Sequence, residues 1–216
     1  GADLLEKFPF LDIVIGTRDY PSLPALLERV AQTGERLAVT EHIDSQIPDI
    51  YIPRANKSLS AFVTVMYGCD NYCSYCIVPH VRGREVSREK KSIINEIRAL
   101  AKSGVKETTL LGQNVNSYKD AESGADFADL LSGVNDISGI ERIRFTTSHP
   151  KDVSPKLICA MANLEHVCEH FHLPAQSGAD AVLNRMNRKY TRDDYLNLAA
   201  RIRAEIPNVV LTTDLL

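Results

Sequence analysis

From Leu59 onward, short apolar runs alternate with longer stretches of helical spacing. Ala61 to Tyr67 is an apolar, β-branched run and reads as a buried strand. Glu107–Leu111, Arg142–Thr146, His170–Leu173 and Asn208–Thr212 repeat that signal. Between them lie five helical patterns. The first runs from Ser87, a good N-cap, to Ser103, with Ile93, Ile94, Ile97, Leu100 and Ala101 on one face and Gly104 as its stop. The second surrounds Phe127, Leu130, Leu131 and Val134. The third follows Ser154-Pro155, a cap with proline at the first helical position, and presents Leu157, Ile158 and Met161. The fourth passes through Ala181, Val182, Leu183 and Met186. The fifth opens on a capping-box pattern at Thr191–Asp194 and turns Tyr195, Leu198, Ala199 and Ile202 to one side. Strands alternating with helices predict a parallel sheet with right-handed crossovers. The fold expected is α/β: a partial (βα) TIM-type barrel, truncated after its fifth strand. No glycine-rich dinucleotide or phosphate fingerprint stands at a strand end, which argues against a nucleotide-cofactor doubly wound fold.

The leading residues differ. Leu11–Gly16 reads as a short strand, and Pro24–Gln32 as a helix closed by Gly34. One strand and one helix cannot enclose a core alone. Asp44–Lys57, with Pro48 and Pro53, reads as a linker. The expected division is residues 1–55, the tail of an α/β N-terminal domain plus linker, and residues 56–216, the core.

Composition changes this picture little. The 216 residues are 44% hydrophobic and 25% charged, as in ordinary globular proteins. No apolar run approaches the roughly 20 residues of a membrane span, and no signal peptide opens the chain. Five cysteines, three of them clustered, argue against a disulfide framework and for a reducing cytoplasm. A net charge of −3 does not announce a nucleic-acid binder, so any such role rests on a local patch.

The chemistry concentrates in Gly68-Cys69-Asp70-Asn71-Tyr72-Cys73-Ser74-Tyr75-Cys76, where the spacing is C-x3-C-x2-C. Gly68 allows a sharp turn after the first strand, which places the thiols at a strand's carboxyl end, where α/β sheets and barrels hold their active sites. Three soft thiolates suit an iron–sulfur cluster or zinc. In a cubane cluster, three cysteines leave one iron open to a small molecule. Zinc would take Cys69, Cys73, Cys76 and His80, and the bare pair Cys73-x2-Cys76 is compatible with a redox motif. Four loops after the other strands carry polar groups: Gln113, Asn114 and Asn116; Ser148 and His149; Gln176 and Ser177; Thr213 and Asp214. Together they suit a polar, zwitterionic cofactor, while each alone is an ordinary capping residue. Two basic runs flank the expected mouth: His80, Arg82, Arg84, Arg88, Lys90 and Lys91, then Arg185, Arg188, Lys189 and Arg192. They are a candidate phosphate-contacting rim, with Tyr72, Tyr75 and Tyr118 as candidate base-stacking rings. Cys159 and Cys168 are expected to be small buried wall residues.

The cysteine spacing resembles that of the radical S-adenosylmethionine (radical SAM) enzymes. With Ile77-Val78-Pro79, Arg82-Gly83, Val86-Ser87-Arg88, Leu111–Tyr118, Arg144–Pro150, His172–Gly178 and Asp12–Gly16, the chain resembles the methylthiotransferases of that superfamily, and among them the tRNA-modifying branch. The resemblance implies that Cys69, Cys73 and Cys76 hold a 4Fe-4S cluster whose open iron takes S-adenosylmethionine. It places Tyr75 near the adenine and makes Gln113, Asn114, Ser148, Gln176 and Arg188 candidate cofactor contacts. It implies transfer of a methylthio group to C2 of N6-isopentenyladenosine beside the tRNA anticodon, one S-adenosylmethionine giving a methyl group and a second giving a radical. The partners implied are the tRNA anticodon stem-loop and an electron donor, with no membrane and no DNA. Related targets are threonylcarbamoyladenosine in tRNA or a ribosomal protein; a zinc-stabilised RNA-binding module is the reading of another class. Members of the family carry a second 4Fe-4S cluster in an N-terminal domain, whereas no cysteine precedes Cys69 here. The expectation is therefore an internal piece that holds one cluster and does not complete methylthiolation alone.

Overall fold

A computed structural model describes residues 1–40 and 58–216. The linker expected over Asp44–Lys57 and the boundary expected at residue 55 lie outside the described residues.

The leading unit is a small α/β layer. Helix α1 (Ala2–Lys7) precedes strand β1 (Ile13–Ile15), helix α2 (Leu23–Thr33) and strand β2 (Leu37–Val39). α2 starts with Pro24 in its first turn and ends at Gly34, whose φ of 67° forms a left-handed C-cap. It returns the chain so that β1 and β2 pair in parallel, Ile13 with Leu37 and Ile15 with Val39. α1 and β2 escape the sequence pattern because six and three residues are too short to display a period. With them, the unit has the second strand that the sequence reading lacked.

In the core, strand β3 (Ser60–Thr64) is followed by β4 (Met66–Tyr67), helix α3 (Val78–Val81), β5 (Val86–Ser87) and helix α4 (Lys90–Lys102). Then come β6 (Glu107–Leu111), α5 (Phe127–Asn135), β7 (Arg142–Phe145), α6 (Pro155–Asn163), β8 (His170–His172), α7 (Asp180–Arg185), α8 (Arg192–Glu205) and β9 (Val210–Thr212). β3, β6 and β7 form a parallel sheet, with Ser60 opposite Glu107 and Glu107 opposite Arg142. A single parallel bridge, Ile143 to Val167, carries the array toward β8, which pairs in parallel with β9. Rings reinforce this thin junction: Phe145 meets Phe127 at 5.2 Å and Phe171 at 5.4 Å, both edge to face. Among the described residues the strands do not close into a barrel. This is the partial α/β arrangement that the pattern predicts.

The first run is not one buried strand. β3 stops at Thr64, and the Val65 N–H donates to the Leu111 carbonyl. The chain then leaves the sheet, and β4 pairs antiparallel with β5 (Met66 with Ser87, Tyr67 with Val86). Ala61, Val63 and Val65 are buried while Phe62 is exposed, because β3 is covered on one face and, among the described residues, lies at the edge of its sheet. Ser87 consequently lies in β5 and does not cap α4. That helix begins at Lys90, whose N–H donates to the Asp120 carboxylate at 3.3 Å. Elsewhere the expected caps are in place: Ser154 accepts from the Leu157 N–H, and Thr191 and Asp194 form a capping box. Asp126 and Asp129 make a second capping box at α5.

Cys159 is exposed and Cys168 half-buried, contrary to the expected wall positions. α6 turns Leu157, Ile158 and Met161 inward, which puts Cys159 on its outer face, and Val167 takes the inward position beside Cys168. Among the described residues, no helix is long and apolar enough to cross a membrane.

Candidate metal and cofactor site

The cysteine loop leaves β4 at Gly68, and only glycine fits there. Its φ is +69°, and a Cβ would lie 2.1 Å from the Arg84 carbonyl oxygen and 2.6 Å from that of Gly83. The same close approach lets the Cys69 N–H donate to the Gly83 oxygen at 3.3 Å. Asp70 takes both nitrogens of the Arg84 fork, at 2.8 and 3.0 Å, and the Glu85 N–H. On the other side, the Ser74 N–H and Oγ donate to the carbonyls of Met186 and Arg185. Asn187, at φ 58°, donates its side-chain amide to the Tyr72 carbonyl at 2.8 Å. The loop is thus clamped between residues 82–85 and residues 185–188.

Two of the three sulfurs receive N–H donors. Asn71 Nδ2 lies 3.3 Å from Cys69 Sγ, and Arg188 Nη1 lies 3.3 Å from Cys73 Sγ. The Arg188 guanidinium is buried. It also reaches the Tyr75 hydroxyl at 3.4 Å and the Tyr190 hydroxyl at 3.0 Å, and it stacks over the Tyr190 ring. Burial pushes the Cys69 thiol up, and Asn71 opposes this. Burial likewise raises Tyr75, with Arg188 opposing. Among the described residues, no three His, Cys, Asp or Glu side chains are drawn together as a metal site. The structure supplies the donor set: three thiols on one loop, with N–H groups placed to stabilise sulfur charge. His80, the fourth ligand of the zinc reading, is exposed, and its ring packs edge-on against Tyr72 at 6.3 Å.

Beside the loop, a cavity of about 290 Å³ opens at the carboxyl ends of β3, β6 and β7, lined by Thr64, Arg82, Leu111, Gln113, Thr146 and Thr147 among others. Gln113 is therefore at a cavity wall. Asn114 is not available: it is buried, donating to Asp152 at 2.7 Å and accepting the His149 N–H at 3.0 Å, so it ties two loops together. Ser148 is buried with no partner for its Oγ among the described residues. Gln176 has φ 65° and pairs through its backbone with Asp214 and Leu216. His149 lies against Tyr190, and burial followed by the nearby Arg188 charge lowers its pKa to about 3.

Several expected surface groups are inside. The Arg88 guanidinium is buried, 2.8 Å from Glu96 and 2.7 Å from the Thr64 carbonyl, and Arg188 is committed to the cysteine loop. Neither belongs to a phosphate rim. Tyr118 is buried and donates its hydroxyl to the Arg88 carbonyl, so it cannot stack on a base. Tyr72 and Tyr75 remain partly exposed. Asn71, Ser74 and Asn187 were missed as loop supports. The only hint at Asn187 is that asparagine tolerates positive φ.

The description of the radical SAM superfamily matches residues 63–216. The chain belongs to the radical SAM superfamily. Radical SAM domains work with a 4Fe-4S cluster and S-adenosylmethionine, and thiols on one loop are the donor type that such a cluster takes. Among curated proteins, the chain is 50% identical over 214 residues to the tRNA-2-methylthio-N(6)-dimethylallyladenosine synthase of Clostridium tetani, covering 99% of this chain and 47% of that one. It is 53% identical to the synthase of Caldicellulosiruptor saccharolyticus, covering 99% and 45%. The radical SAM chain thus spans about half the length of these relatives. Among solved structures, the methyltransferase TsrM from Kitasatospora setae, with cobalamin and a 4Fe-4S cluster bound, matches with a TM-score of 0.56 at 19% identity, covering 71% of this chain and 30% of that one. Streptococcus suis SuiB, bound to its precursor peptide SuiA, matches with a TM-score of 0.54 at 15% identity, covering 98% and 43%. These two likenesses concern the fold.

Proposed function

We propose that this chain is the radical SAM core of a tRNA methylthiotransferase, which adds a methylthio group to C2 of N6-isopentenyladenosine in the anticodon stem-loop. The observation that carries the reading is identity of 50–53% over 99% of the chain to curated synthases named for that product. Cys69, Cys73 and Cys76 are the residues to hold the cluster. Bound there, the cluster and S-adenosylmethionine supply the one-electron chemistry that activates an unreactive C–H bond. Arg188 and Asn71 stabilise charge on the sulfurs, while Tyr75, Gln113, Ser148 and Gln176 are the candidate groups to orient the cofactor. Exposed Lys91, Arg185, Lys189 and Arg192 offer phosphate contacts around the loop. The reading requires an electron donor and places the reaction in the cytoplasm, with tRNA.

The test is anaerobic iron–sulfur reconstitution, then electron paramagnetic resonance of the reduced protein with and without S-adenosylmethionine. A cubane signal that changes with the cofactor is expected. Uptake of one zinc and no iron would overturn the reading. Assays of the full-length parent on isopentenyladenosine tRNA, threonylcarbamoyladenosine tRNA and ribosomal protein then choose the target.

A further inference from the structure

Arg18 lies in the leading unit, between β1 and α2, and its side chain leaves that unit. It is buried, and Nη2 donates to the carbonyl oxygens of Arg82, at 2.6 Å, and Arg84, at 2.8 Å. These carbonyls belong to the segment against which the cysteine loop is built. The Arg84 oxygen is the atom that excludes any side chain at Gly68, and the intervening Gly83 oxygen receives the Cys69 N–H. Arg82 also lines the cavity at the strand ends. One buried cation therefore holds, from behind, the backbone that fixes both the first cysteine and one wall of the cavity. A charged donor bonded to two carbonyls in a buried setting is a strong restraint. A lone arginine in a loop gives no sequence signal for this, since its partners are more than 60 residues away.

We infer that Arg18 is a positioning residue through which the leading α/β unit sets the geometry of the cysteine loop, so that ordering of that unit and cluster binding are coupled. For its cluster arm the inference rests on the cluster reading above; for its loop arm it does not. Arg36 supplies the control. It makes the same kind of bond, guanidinium to the carbonyls of Leu5, Phe8 and Leu11, but wholly within the leading unit.

The test compares Arg18→Ala, Arg18→Lys and Arg36→Ala in the full chain by amide hydrogen exchange before reconstitution. In Arg18→Ala, exchange of the Cys69 amide and its neighbours is expected to rise about tenfold, with the amides of β6 and β7 unchanged. Arg18→Lys keeps the charge and donors and should recover part of the protection, and Arg36→Ala should leave the loop as it is. After reconstitution, Arg18→Ala should lose iron to a chelator several-fold faster and show an altered resonance signal. Unchanged loop exchange in Arg18→Ala with β6 and β7 intact overturns the inference, as does an equal effect from Arg36→Ala. If β6 and β7 lose protection in Arg18→Ala, the Arg18→Lys comparison decides. Failure of the wild type to take up iron sinks the cluster reading and leaves the exchange result standing.

Discussion

Arg188 and Cys73 are 115 residues apart in the chain, and Nη1 of one lies 3.3 Å from Sγ of the other. The arginine is held there by the Tyr190 hydroxyl on Nε and by the ring beneath it. A cation donating an N–H to a cluster sulfur favours the reduced, more negative state. Arg188→Met should therefore shift the cluster to a lower reduction potential, and Arg188→Lys should shift it less. A redox titration followed by paramagnetic resonance reads both. An unchanged potential in Arg188→Met would show that the contact does not tune the cluster.

The five cysteines should divide sharply. Replacing Cys69, Cys73 or Cys76 by alanine is expected to abolish a stable cluster, measured as iron and sulfide per chain. Replacing exposed Cys159 or half-buried Cys168 should leave both values near wild type. Loss of iron from Cys159→Ala would be incompatible with the proposed ligand set.

Gly68→Ala tests the loop's entry. The positive φ alone costs on the order of 1 kcal/mol or more, and the added Cβ meets backbone at 2.1 Å, which no rotamer change relieves. The variant should melt lower than wild type and fail to retain iron. Normal iron retention would mean that residues 83–84 can withdraw from the loop.

Arg88 and Glu96 form a nearly buried pair. Arg88→Ala leaves Glu96 without its partner and should cost roughly 3–5 kcal/mol in denaturant unfolding. Arg88→Met with Glu96→Leu should recover much of that, because no charge is then stranded. Tyr118→Phe removes one hydrogen bond to the Arg88 carbonyl and should cost only about 0.5–1.5 kcal/mol. If the double variant is as unstable as Arg88→Ala, bonds such as that from Arg88 to the Thr64 carbonyl matter more than the pairing.

His149 makes stability depend on acid. Its pKa falls from 6.5 to about 3, first through burial and then through the charge of Arg188. Between those values the unfolded chain binds a proton that the folded chain does not. The contribution is complete above the unfolded value and is lost as pH falls from 6.5 toward 3. By about pH 4 the loss is on the order of 3 kcal/mol. His149→Gln should flatten this limb of the stability–pH curve, and an equally steep limb in the variant would assign it to other groups.

Much of the architecture was legible because it repeats. Period-2 and period-3.6 runs marked β6, β7 and the faces of α4, α5 and α6, and Ser154-Pro155 and Thr191–Asp194 announced their helix starts. The three clustered cysteines were legible because their chemistry is local to one loop. The failures share one cause. Ala61–Tyr67 has a uniform apolar pattern, yet the chain breaks at Val65, because β5 offers Met66 and Tyr67 a partner that β6 does not. Arg88, Arg188, Tyr118 and Asn114 read as surface or site groups by residue type, yet the side chain of each is held by a partner 24 or more residues away.

By itself, then, the sequence determined the α/β class, the order of the longer strands and helices of the core, and the clustering of three cysteines in one loop, since each is written in neighbouring residues. Only the tertiary structure decided which cations face inward, that β3 is covered on one face, and that the loop is gripped by residues 82–85 and 185–188 with Arg18 behind it. Hydrogen-bond partners distant in sequence are chosen by packing, and packing acts on the whole chain at once.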